Sequence, residues 1–203
     1  MIKTKFLELI GKYSANESYS IDCWSEIEKN YSSKSRHYHN LEHIINMLNE
    51  LKKLESEIED LDTLLFSIYY HDIIYKSTKS DNEHQSALLF EKRIAETSFS
   101  HLEKCKTQIE ATKEHKLSED FDINILLDLD LSVLGKSPEE YIEYSQNIRK
   151  EYSIYPDFMY KKGRKKVLEH FLEKGPIFKT AYFIDKYEQR AIDNLKRELL
   201  SLK

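Results

Sequence analysis

The chain has 203 residues, with 31 Lys and Arg against 36 Asp and Glu, a net charge of −5. Both signs are mixed along its length, so no basic stripe marks a nucleic-acid polymer or an anionic membrane as partner. Four glycines and three prolines leave little material for tight hairpins, and one all-helical domain over residues 1–203 is expected.

Apolar residues at helical spacing predict helices over about 3–13 and 20–31. A third is expected over 39–54, with Leu41, Ile44, Ile45, Leu48 and Leu51 on one face. The segment "LDTLLFSIYY" (61–70) is apolar on nearly every side and reads as a central buried helix. In "SDNE", Ser80 and Glu83 have the spacing of a capping box, opening a helix to about 97. Another is expected over 100–115. In "SPEE", Ser137 is the expected cap, Pro138 the first helical residue and Glu140 its third, for a helix to about 153. Helices over 157–173 and 178–201 complete the series.

One segment carries two signals. In "INILLDLDLSVLG" the residues Ile123, Ile125, Leu127, Leu129, Leu131 and Val133 alternate as in a strand. A lone strand has no partner in this chain, which favours a helix. Periodicity leaves both readings open.

Cys23 and Cys105 have no metal or redox spacing and read as reduced packing residues. The start "MIKTKFLELIGKY" lacks an apolar core of signal-peptide length. No run approaches the roughly 18 apolar residues that span a bilayer. A cytoplasmic protein with a small-molecule partner is expected.

The groups suited to chemistry are unevenly placed. His39 and His43 are four apart in "RHYHNLEH", which would stack them on one helix face. That face lies opposite the Leu41, Ile45 and Leu48 stripe, so periodicity alone would also allow it to be solvated. His71 and Asp72 end the apolar run as "YYHDIIY". A carboxylate there meets the negative end of the helix dipole, and burying it uncompensated would cost several kcal/mol. A divalent cation removes both objections. Asp128 and Asp130 lie in "DLDLS". Imidazoles and carboxylates from three segments make a sensible donor set for Zn²⁺, Mn²⁺, Fe or Ni²⁺. Glu83 has the bland alternative of a mere capping residue.

The order H…HD…D resembles the HD superfamily of metal-dependent phosphohydrolases. The likeness extends to an uncharacterised subfamily of predicted phosphohydrolases in which R-x-Y-H-x-x-x-H precedes the HD pair. "RHYHNLEH", "HDIIY", "NEHQSA", "TKEH", "DLDLSVLG", "IRKEY", "GRKKVLEHFL" and "EQRAIDNLKRE" fit its pattern in order over about residues 24–198.

The resemblance implies an all-α HD-type bundle around a metal site, with the 120–134 segment helical. It implies His43, His71, Asp72 and Asp130 as metal ligands, with Asp128 as the alternative to Asp130. The implied cofactor is one divalent ion of Mn, Ni, Zn, Co, Fe or Mg. Arg36, Tyr38 and His39 are expected at the substrate, Glu83 and His115 in proton transfer beside Asp72, and Arg149 and Arg164 as further phosphate contacts. Tyr75 flanks the same region. The implied reaction is hydrolysis of a phosphate ester, of a nucleotide or another small metabolite. Two other readings compete: a dinuclear-iron oxygenase of the same fold, drawing on His84, His101 and His115, and a non-catalytic helical module binding a nucleotide or a protein. A homodimer is compatible with the sequence.

Overall fold

Short polar side chains set several of the helix starts in the computed structural model, which describes residues 2–173 and 175–202. Asn16 accepts the Tyr19 N–H and opens α2 (Glu17–Tyr31), which follows α1 (Ile2–Gly11). Asn40 accepts the Glu42 N–H and opens α3 (Leu41–Leu51). Asp60 accepts the Thr63 N–H and opens α4 (Leu61–Tyr70). Each cap satisfies an amide that the helix itself leaves orphaned. α5 (Asn82–Ile94), α6 (Leu102–Ala111) and α7 (Phe121–Leu131) follow, then α8 (Pro138–Glu151) and α9 (Asp157–Glu173). The last stretch is α10 (Ala181–Phe183), a π-helical turn (Ile184–Glu188) and α11 (Gln189–Ser201).

Every regular element among the described residues is helical, so the all-α class expected from composition holds. α7 resolves the ambiguous segment. Residues 122–129 are all buried, so apolar side chains are wanted on every side of that helix and no 3.6-residue period survives. None of the helices described is long and apolar enough to cross a membrane.

Several boundaries differ from expectation for local reasons. α3 begins after Asn40, so His39 precedes the helix instead of sharing its face. The Ser80–Glu83 capping box is absent: α5 starts at Asn82 after Asp81, with no side-chain cap. Asn82 instead uses its amide to bond both the N–H and the carbonyl of Lys76, at 3.0 Å each, closing the preceding loop. α6 ends at Ala111, short of the expected 115, and His115 beyond it takes a left-handed conformation, φ 47°. The capping box at Ser137, Pro138 and Glu140 forms as read.

The chain divides into two compact units, residues 1–126 and 127–203, with the division inside α7. In the first, α4 packs on α1, α3, α5 and α6. Its core gathers Phe6, Trp24, Phe66, Tyr69, Tyr70 and Phe90, all almost fully buried. Asp122 is buried too, and its two oxygens accept the Glu59 and Asp60 amides at 3.0 and 2.9 Å, fixing the entry to α4. In the second unit, α11 packs on α9, on the 3₁₀ turn Ser132–Gly135 and on the π turn.

Candidate metal centre

The end of α4 delivers the His-Asp pair into protein. His71 is the C-cap, 1% exposed, and its N–H donates to the Ser67 carbonyl at 2.8 Å. Its Nδ1 lies 2.9 Å from the Ile68 carbonyl, which can only accept, so Nδ1 carries the proton. That bond assigns the lone pair of a neutral ring to Nε2, the usual arrangement of a histidine poised to ligate.

His43 comes from the first turn of α3 and is 3% exposed, so the solvated-face alternative is not what the chain adopts. The buried face of α3 is His43, Ile44, Met47, Leu48 and Leu51, rotated from the Leu41/Ile45 stripe. The Nε2 atoms of His43 and His71 are 3.3 Å apart, and His71 Nε2 lies 3.3 Å from Asp72 Oδ2. One donor atom from each of His43, His71 and Asp72 falls within 4.8 Å of the others, and all three residues are buried. Two imidazole nitrogens and one carboxylate oxygen suit a transition ion such as Zn²⁺, Mn²⁺, Fe²⁺, Co²⁺ or Ni²⁺ better than Mg²⁺, which favours oxygen. The donor set therefore fits the implied metal.

Aromatic rings line the same place. His39 stacks on Tyr75 with centroids 4.1 Å apart, and its Nε2 is 3.9 Å from Asp72 Oδ2. Tyr38 packs against His39 and His43, each at 5.0 Å. Tyr38, His39 and Tyr75 are half-buried and keep an accessible edge.

The backbone of the HD turn is held from several directions. The Asp72 N–H donates to the Tyr31 hydroxyl at 3.2 Å. Ser86 on α5 bonds both the N–H and the carbonyl of Ile74, at 3.0 and 3.3 Å. Arg36, expected at a substrate phosphate, is instead 8% exposed and directs its guanidinium at carbonyls of the protein. Residue type and motif alone did not distinguish these two uses of an arginine.

Glu83 lines a groove of about 540 Å³ with His84, Thr107, Glu110, Lys113 and Ile123, whose walls include none of His43, His71 or Asp72. His115, half-buried, donates its N–H to the Ala111 carbonyl at 3.2 Å. His84 and His101, exposed, pair with Glu110 at 2.8 Å and Asp60 at 2.5 Å. His84 and His101 are therefore engaged with carboxylates outside the three-residue grouping.

In the second unit, Arg164 is buried and makes a two-point ion pair with Glu198 at 2.8 and 2.9 Å. Burial by itself would lower its pKa, but the Tyr144 and Glu198 oxygens beside it outweigh that and raise it. Arg149 binds Asp157 and the carbonyls of Tyr152 and Tyr155. Both forks thus serve the protein's own acceptors.

The two aspartates of "DLDLS" differ sharply. Asp128 is fully buried, and its oxygens accept the Lys179 N–H, the Thr180 N–H and the Thr180 hydroxyl, each at 2.8 Å. It braces the turn before α10. Asp130, partly exposed near the end of α7, belongs to the same unit.

Comparison with protein-family models finds none that matches, and searches of curated proteins and of solved structures find no significant match.

Proposed function

We propose that the chain is a divalent-metal-dependent phosphohydrolase of the HD type, with His43, His71 and Asp72 as metal ligands. The observation that carries this reading is the buried grouping of their three donor atoms, with the His71 lone pair fixed at Nε2 by the Ile68 carbonyl. Such a cluster of unlike donors without a cation would leave a carboxylate in a poorly solvated position at a helix C-terminus.

A divalent ion held there supplies a Lewis acid's positive charge beside a phosphoryl group at neutral pH. The chain's own groups do the rest. The Asp72 carboxylate, whose Oδ2 faces His39, is the acceptor for the proton of the attacking water. His39 Nε2, 3.9 Å from that oxygen, is placed to pass the proton on toward the leaving oxygen. The half-buried rings of Tyr38 and Tyr75 form an aromatic wall suited to the organic part of a small phosphate ester, such as a base. Bonds formed and broken are those of hydrolysis: water oxygen to phosphorus, phosphorus to ester oxygen.

The test is elemental analysis of protein purified without chelator, followed by a panel of phosphate esters with Mn²⁺, Ni²⁺, Co²⁺, Zn²⁺ and Mg²⁺. About one ion per chain and metal-dependent phosphate release are expected, and both should be lost in His71→Ala and Asp72→Ala. Metal content and phosphate release that survive both substitutions would overturn the reading. Two irons per chain with oxygen consumption would replace it with the oxygenase.

A further inference from the structure

Arg36 lies in the connection between α2 and α3, which also carries Tyr38 and His39. Its Nη1 donates to the carbonyls of His39 at 3.0 Å and Asp72 at 2.6 Å, and its Nη2 to the carbonyl of Ile73 at 2.7 Å. The same guanidinium lies 4.8 Å from the Tyr31 ring centroid and 5.7 Å from that of Tyr75. The carbonyls of Asp72 and Ile73 follow directly on the end of α4, where carbonyls have no helical partner and a cation is favoured. Arginine suits the place because one rigid fork reaches separate acceptors while its flat faces lie against rings.

We propose that Arg36 is a positioning residue for the metal ligands and not a phosphate binder. This inference rests on the metal reading given above. Arg36 grips Asp72 by its carbonyl while the Tyr31 hydroxyl takes its N–H, so the backbone from which the carboxylate departs is held on both sides. That fixes Asp72 Oδ2 at 3.3 Å from His71 Nε2. Through the His39 carbonyl the same fork joins the segment bearing His39 to the HD turn, and so sets His39 Nε2 against Asp72. The R-x-Y-H and H-D motifs are thereby one mechanical unit, with the arginine as the tie.

The experiment uses the full chain as wild type, Arg36→Lys, Arg36→Met and Tyr31→Phe. Amide hydrogen exchange is followed in metal-free protein, and Zn²⁺ affinity is measured by competition with a chromogenic chelator. In both Arg36 variants, exchange at Ile73 and Ile74 should quicken by about tenfold or more while amides of residues 65–68 keep their rates, because only the turn loosens. Zn²⁺ affinity should fall by about 10–100-fold, the usual cost of losing a group that orients a ligand. Tyr31→Phe should shift both readouts the same way by less, and it carries the test if the Arg36 variants fail to fold. Exchange and affinity within about twofold of wild type would overturn the proposal. So would a raised KM for phosphate esters with both readouts unchanged, which would return Arg36 to the substrate. Should wild type bind no divalent ion, the functional reading falls, and so does the part assigned to Arg36 in it.

Discussion

The Nε2 atoms of His43 and His71 face each other across 3.3 Å inside the first unit. With the His71 proton committed to the Ile68 carbonyl, the pair has one proton to share or two lone pairs to offer a cation. Saturating Zn²⁺ or Co²⁺, at about a hundred times Kd, should add about 2.7 kcal/mol to the stability of the unit that binds it. The melting temperature should rise by several degrees and return on adding chelator. His71→Ala should abolish the response. A melting curve indifferent to cation and chelator would contradict this.

Asp60 gives a pH-dependent expectation. Burial would raise its pKa, but hydrogen bonds from the Thr63 hydroxyl and from His101 outweigh burial, and the carboxyl sits below its usual value. A carboxylate depressed in the folded state contributes stability that is present above its unfolded pKa, about 3.9, and lost as pH falls through the folded value. Asp60→Ala also removes the α4 cap, and should cost about 1 kcal/mol near pH 7. In urea unfolding, the gap between wild type and variant should close as pH drops below about 4.

Two glycines should respond to alanine with opposite signs. A Cβ on Gly135 would stand 2.4 Å from Tyr187 Cβ and 2.7 Å from its carbonyl oxygen, against backbone that cannot swing away. Gly135→Ala should cost about 1–3 kcal/mol in the second unit. Gly163 lies within α9 with open space where a Cβ would go, so Gly163→Ala should gain up to about 1 kcal/mol. Denaturant midpoints of the pair, measured side by side, settle both signs.

The bracing role of Asp128 is open to direct experiment. Asp128→Asn leaves one or more of three buried donors poorly matched and should destabilise the second unit by about 1–3 kcal/mol. Its Zn²⁺ affinity should stay within about twofold of wild type while the variant is folded. A loss of tenfold or more would make Asp128 part of the metal centre.

Local chemistry made much of this protein legible from its residues alone. The scarcity of Gly and Pro, the apolar run 61–70 and the Ser137–Glu140 box name helices because propensity, burial and capping act within a few residues of their origin. The His-Asp dipeptide was equally visible, since a carboxylate closing an apolar helix conflicts with its surroundings wherever the helix goes. Other features depend on who the neighbours are. α7 is buried all round over residues 122–129, a condition that erases the period by which helices are recognised. His43 points inward because α3 buries a face offset from its most obvious stripe. Arg36 looks like a phosphate fork in sequence and holds carbonyls in the fold, because a guanidinium bonds whatever acceptors the packing brings within about 3 Å. Residue type fixes what a group is able to bond; only the tertiary arrangement decides which partner arrives.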